Sequence, residues 1–116
     1  MSDRVYEILF IAESKTEARV GSYRRGRVHM LATLPAIPSD QWAQLRFIGK
    51  QLFVFVRPHS TNVIANGVLY EIADGKAIER TLAPHLDDFS ASADGSRIAI
   101  VYWEGNKRHV KVMDTP

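Results

Sequence analysis

The sequence predicts an all-β protein built mainly of antiparallel hairpins. Short apolar segments follow one another along the whole chain, and turn dipeptides separate them. Residues 52–56 are apolar at every position and rich in Phe and Val, as in a strand that is covered on both faces. Four of the turn dipeptides accept positive φ angles and therefore favour tight hairpins, namely Asn66-Gly67, Asp74-Gly75, Asp94-Gly95 and Gly105-Asn106.

The first third of the chain predicts three strands. Residues 5–12 alternate in the manner of a strand, and a turn at Lys15-Thr16 leads into residues 18–23. A second turn, at Arg25-Gly26, leads into residues 27–34.

The hairpin dipeptides place the remaining strands. Asn66-Gly67 separates strands at 62–65 and 68–72, and Asp74-Gly75 joins the latter to residues 76–82. Asp94-Gly95 precedes a strand at 97–103, which Gly105-Asn106 joins to residues 108–113.

The segment between Pro38 and Gly49 fits two structures. Ser39 or Asp40 could cap a short helix over residues 39–48, with Gly49 just after its last turn. Leu45-Arg46-Phe47, however, alternates like a strand. The sequence leaves both open.

A weak internal repeat has a period of about 46 residues, which is typical of four-stranded propeller blades. It predicts units at about 1–44, 45–83 and 84–116 within one domain, because no linker interrupts the chain. Three sets of alternating apolar residues carry the repeat at this offset: Tyr6, Ile8 and Phe10; Leu52, Val54 and Val56; Ile98, Ile100 and Tyr102.

Residues 89–99 begin with Phe89-Ser90 and continue through Asp94-Gly95 to Ile98-Ala99. This segment resembles the entry of β-propeller blades in WD-repeat and Tol-system-type proteins, which reads Phe-Ser-x-Asp-Gly-x-x-Ile/Leu-Ala. Val112-Met113-Asp114 stands where such blades often carry Val-Trp-Asp. The resemblance implies blade-like units over about residues 45–114, and it implies nothing specific about function.

The length departs from the propeller pattern. A propeller typically has 4–8 blades, whereas 116 residues give about 2.5 units. The chain could be a fragment of a larger propeller, copies could assemble as a homo-oligomer, or the fold could be a small sandwich, open barrel or curled sheet. Uncovered faces and unpaired edge strands favour self-association.

Composition excludes several classes of protein. The chain has no Cys, a net charge of +2 and no tract of five like charges, so disulfide scaffolds, thiolate metal sites and charged tails are excluded. Its longest apolar run, residues 98–103, is far too short to span a bilayer. We expect a cytoplasmic protein without membrane association, metal or other cofactor.

Catalytic motifs are missing, and the best acid–base candidates are His85, Asp87 and Asp88. His85 and Asp87 could face the same way on a strand. In WD-repeat relatives, a histidine and an aspartate in similar places serve a structural hydrogen-bond network. We expect that role here too, because buried polar groups usually pair locally.

The binding candidates are a basic hairpin tip and two tryptophans. Tyr23, Arg24, Arg25 and Arg27 place three guanidinium groups beside an aromatic ring, which suits phosphate or carboxylate. One short tip supplies few phosphate contacts, so nucleic-acid binding is not expected. Trp42 and Trp103 neighbour polar loops and are expected near the surface.

The function predicted from these features is a small non-catalytic β-rich module that binds a protein partner. One alternative is a fragment or self-assembling unit of a propeller-type hydrolase or lyase that uses His85 with Asp87 or Asp88. The other is a weak nucleic-acid or anion binder that acts through the basic tip.

Overall fold

The computed structural model describes residues 7–60 and 64–115. These residues form ten strands and confirm the all-β prediction. The strands are β1 (Glu7–Glu13), β2 (Glu17–Arg24), β3 (Arg27–Pro35), β4 (Gln41–Ile48), β5 (Gln51–Pro58), β6 (Val68–Ala73), β7 (Lys76–Arg80), β8 (Leu86–Ala91), β9 (Arg97–Glu104) and β10 (Lys107–Asp114). Within the same residues, no helix is long and apolar enough to cross a membrane.

The strands form three antiparallel meanders. The first sheet has the order β1-β2-β3, the middle sheet β4-β5-β6-β7 and the third sheet β8-β9-β10. Arg25 and Asp74 adopt φ angles of 52° and 53°, and each is followed by a glycine with φ of 75°. Positive φ was the property expected of Asp74-Gly75, and the same left-handed backbone forms the turn predicted at Arg25-Gly26.

The helix expected as one alternative over residues 39–48 does not form. Residues 41–48 are strand β4, which pairs antiparallel with β5 from Gln41↔Pro58 to Ile48↔Gln51. Gly49 has a φ of 61°, as a helix-ending glycine would, but it turns the chain into β5. Pairing with a strand that is buried on both faces outweighs the local helix signals.

The hairpin expected at Asn66-Gly67 is also not formed. Residues 64–67 have no regular structure, and residues 62 and 63 lie outside the described residues. The Gly67 N–H instead donates to the Leu86 carbonyl at 2.8 Å. A Cβ at position 67 would stand 2.5 Å from that oxygen, so the glycine permits a close approach between chain segments.

The middle sheet is covered on both faces. Leu52, Val54 and Val56 of β5 pack in one core with the first sheet, whereas Phe53 and Phe55 pack in a second core with the third sheet. The expected interior strand is therefore found at 52–56. Because the first and third sheets each use one face for these cores, each leaves one face turned away from the stack.

Three stacked sheets of three or four strands are compatible with blade-like units. The β4–β5 turn contacts the β8–β9 turn, where Gly49 and Gly95 meet so closely that a Cβ on Gly95 would lie 2.5 Å from the Gly49 Cα. Successive sheets are thus stacked with equivalent turns at the same end. The predicted unit boundary between residues 44 and 45 lies within β4, and the division into units stays a prediction.

Candidate functional site

The basic hairpin tip joins β2 to β3. Tyr23 and Arg24 end β2, Arg27 begins β3, and the four candidate residues of the tip are all exposed. Arg24 lies opposite Arg27 in the strand pairing, and the arginines line an open hollow with His29. Three exposed guanidinium groups in this arrangement can bind carboxylate or phosphate.

Asp87 lies at a bulge of β8 and is buried between two arginines. Its Oδ1 is 3.5 Å from the Arg57 Nη2, and its Oδ2 is 3.3 Å from the Arg108 Nε. Arg108 also lies over the Trp103 ring, with its guanidinium carbon 4.7 Å from the ring centroid. Removing one partner of such a buried ion pair leaves an unpaired charge and lowers the stability of the fold. This arrangement therefore supports a structural role for Asp87.

His85 and Asp88 have separate environments. His85 precedes β8 with a φ of 54°, its side chain is exposed, and its carbonyl accepts the Trp103 N–H at 3.0 Å. The Asp88 carboxylate accepts from Phe89 N–H at 2.8 Å and lies 2.9 Å from the Arg46 Nη1. The three residues are neighbours in sequence but have different environments, and the carboxylates of Asp87 and Asp88 are both paired with arginines.

Sequence reasoning missed Arg46, which links two sheets. Its guanidinium donates to the Phe89 carbonyl at 2.8 Å and lies over the rings of Phe55 and Phe89 at 5.5 and 5.0 Å. Since the partners are distant in sequence, no local signal near residue 46 could have identified this contact.

The two tryptophans lie on different sheets. Trp42, on β4, is about half exposed and contacts His59 edge-on, with ring centroids 5.2 Å apart. Trp103, on β9, is half-buried, and its Nε1 is a buried donor without a hydrogen-bond partner. The structure therefore does not join Trp42, Trp103 and the basic tip into one patch.

The Asp94 carboxylate organises the β8–β9 turn. It accepts hydrogen bonds from the Ser96 N–H at 3.0 Å, the Ser96 hydroxyl at 2.7 Å and the Ser92 hydroxyl at 2.8 Å. These bonds, the Ser96 N–H foremost, lower the pKa of Asp94 from 3.8 to about 2. This Asp-Gly turn is the part of the blade-entry motif for which the structure gives a clear structural role.

Two apolar surfaces at the ends of the stack were not predicted as sites. The first outer face is the side of the first sheet turned away from the middle sheet, and the third outer face is the corresponding side of the third sheet. Strand alternation places Ile8, Phe10, Tyr23, Val28 and Met30 on the first outer face, and Ala99, Val101, Trp103, Val110 and Val112 on the third outer face. The sequence signals for these surfaces were the alternation of Ile8 and Phe10, and the prediction of Tyr23 and Trp103 as binding residues.

No group of three or more metal-ligating side chains occurs in the described part of the chain. Comparison with family models, curated proteins and solved structures finds no match to this chain. The functional interpretation of the outer faces, the basic tip and Asp87 with its partners Arg57 and Arg108 therefore rests on their own chemistry.

Proposed function

We propose that this protein is a non-catalytic protein-interaction module made of propeller-blade-like units. The observation that carries the proposal is the pair of apolar outer faces. Ile8, Val28 and Met30 are each more than half exposed on the first outer face, as are Val110 and Val112 on the third. Several exposed apolar side chains on one face of a sheet are typical of a surface that contacts another protein.

The chemistry of the two faces defines the partner. Sheets pack face to face through apolar side chains, so the complementary surface is the apolar face of another β-sheet. The arginines of the basic tip lie beside Tyr23 at the rim of the first outer face, where a partner carboxylate would pair with them.

The acid–base candidates support a structural role better than a catalytic one. Both Asp87 and Asp88 are already paired with arginines, and Asp87 is buried. A general base needs a free position within reach of a substrate proton. The hydrolase or lyase alternative is therefore the weaker proposal.

Photo-cross-linking from single positions tests the proposal. Benzoylphenylalanine is placed at Ile8 or Val110 in the full chain, which is produced in the cells it comes from, and Ile64 is the control because it is similarly exposed outside both faces. We expect protein cross-links from positions 8 and 110 and none from position 64. Equal labelling at all three positions, or none at positions 8 and 110, contradicts the proposal.

A further inference from the structure

We infer that the partner of both outer faces is a second copy of this chain. In the resulting closed dimer, the third outer face of each copy packs on the first outer face of the other. This inference rests on the proposed function, because it names the occupant of the same two surfaces.

The first outer face is equivalent to faces that are buried inside the stack. The 46-residue offset places Ile8, Val54 and Ile100 at the same position of β1, β5 and β9. Val54 and Ile100 are 0% and 1% exposed because the preceding sheet covers them, whereas Ile8 is 59% exposed. Ile8 is therefore as apolar as its two buried equivalents, but no sheet of the described residues covers it.

The third outer face is equivalent to the opposite, forward side of the middle sheet. Val110 lies opposite Val101 in the third sheet, as Leu69 lies opposite Phe55 in the middle sheet, and Phe55 and Val101 are again 46 residues apart. Leu69 is 1% exposed and Val110 is 71% exposed. The third sheet thus presents the side that the stack normally covers with a following sheet.

Charges at one end of the stack fit the same pairing. The short connections β3–β4 and β7–β8 join neighbouring sheets at one end, so the basic tip and the β8–β9 turn share the opposite end. Asp94 lies in that turn, and Asp114 ends β10 beside it, where the Thr115 N–H donates to the Ser96 carbonyl. Stacking a third sheet on a first sheet brings these two carboxylates toward the arginines of the tip.

The number of sheets in the described residues fits a dimer. A head-to-tail contact forms a ring only if the rotation closes, and rings of blades typically hold 4 to 8. The described residues form three sheets, so two copies supply six. Three copies would supply nine, which exceeds this range.

Sedimentation equilibrium on the full chain and three variants tests the inference. The variants are Ile8→Arg, Val110→Arg and the control Ile64→Arg, with folding checked by circular dichroism. We expect the wild type and Ile64→Arg to have twice the 13.1 kDa mass of one chain, and each of the other two variants to have the mass of one chain. If an arginine variant does not fold, Ile8→Ser or Val110→Ser replaces it. The same shift from the mass of two chains to that of one is expected.

Mixing the two interface variants distinguishes a head-to-tail contact from a symmetric one. Ile8→Arg keeps an intact third outer face and Val110→Arg keeps an intact first outer face, so their equimolar mixture should recover a two-chain complex. The mixture restores one of the two contacts of the dimer, so it should associate more strongly than either variant alone. A monomeric wild type, dissociation by only one of the two substitutions, or a mixture that associates no more strongly than the separate variants overturns the inference. If the wild type is monomeric while positions 8 and 110 cross-link to a different protein, the proposed function stands without this inference.

Discussion

The core between the middle and third sheets should depend on Phe55. Its side chain is fully buried, its ring meets that of Phe89 edge-on with centroids 5.3 Å apart, and Arg46 lies over its face. Phe55→Ala removes all three contacts and leaves a cavity, for which a loss of about 3–5 kcal/mol of unfolding free energy is expected. Folded proteins have a free energy of unfolding of roughly 0.05–0.15 kcal/mol per residue, which gives about 6–17 kcal/mol for 116 residues, so the variant should be strongly destabilised.

Phe47→Ala is the matched control for this prediction. Phe47 lies on the same sheet but is 55% exposed, so its truncation should cost about 1 kcal/mol or less. Urea unfolding of both variants and the wild type is compared at one protein concentration, because self-association would make stability depend on concentration. If the two substitutions differ by less than about 1 kcal/mol, the assignment of Phe55 to a tightly packed core is wrong.

Three further predictions concern turns and charges. Gly95→Ala should lower the free energy of unfolding in urea by at least about 1 kcal/mol more than Gly75→Ala does. Both positions have φ near 75°, but only a Cβ at position 95 would meet the backbone of Gly49. Equal losses would contradict the contact between the two turns. Ser96→Ala should raise the pKa of Asp94 from about 2 toward 3.8 in an NMR titration. Because the folded-state pKa is the lower one, Asp94 stabilises the fold above pH 4, and this contribution is lost as pH falls through about 2; an unchanged titration would refute the role of the hydroxyl. Asp87→Asn should lower the free energy of unfolding by about 2 kcal/mol, an effect reduced by the exposure of Arg108, whereas Glu71→Gln, at the more exposed pair with Arg80, should lower it by about 1 kcal/mol or less in the same assay. Similar effects of the two substitutions would contradict a buried Asp87 held by two arginines.

Local chemistry made part of the fold predictable. The turns at Arg25-Gly26 and Asp74-Gly75 need positive φ, and that requirement is visible in the dipeptides themselves. Strand β5 was recognisable because unbroken apolar sequence at 52–56 signals cover on both faces. In both cases, the sequence segment contains the physical reason for its own structure.

Features that depend on distant partners were not predictable in this way. The segment that forms β4 carries helix-capping residues, and its strand structure follows from pairing with β5. Gly67 acts through its approach to Leu86 rather than through a turn. For the candidate sites, the sequence provided the residues of the basic tip and of the Asp87 region, whereas the engagement of both carboxylates by arginines required the stacked sheets.

A finite stack of sheets has two end faces, and a chain can make them stable in water in two ways. Repeat arrays commonly end in units whose outer face is polar, whereas a closed ring has no ends at all. Here Ile8 and Val110 occupy positions that Val54 and Leu69 fill inside the stack, so interior chemistry continues to both ends. This continuation is expected of a stack that closes. The proposed 46-residue repeat relates Ile8 to Val54, and the strand pairing of Val101 and Phe55 relates Val110 to Leu69. Ile8 and Val110 are therefore the side chains through which closure would occur.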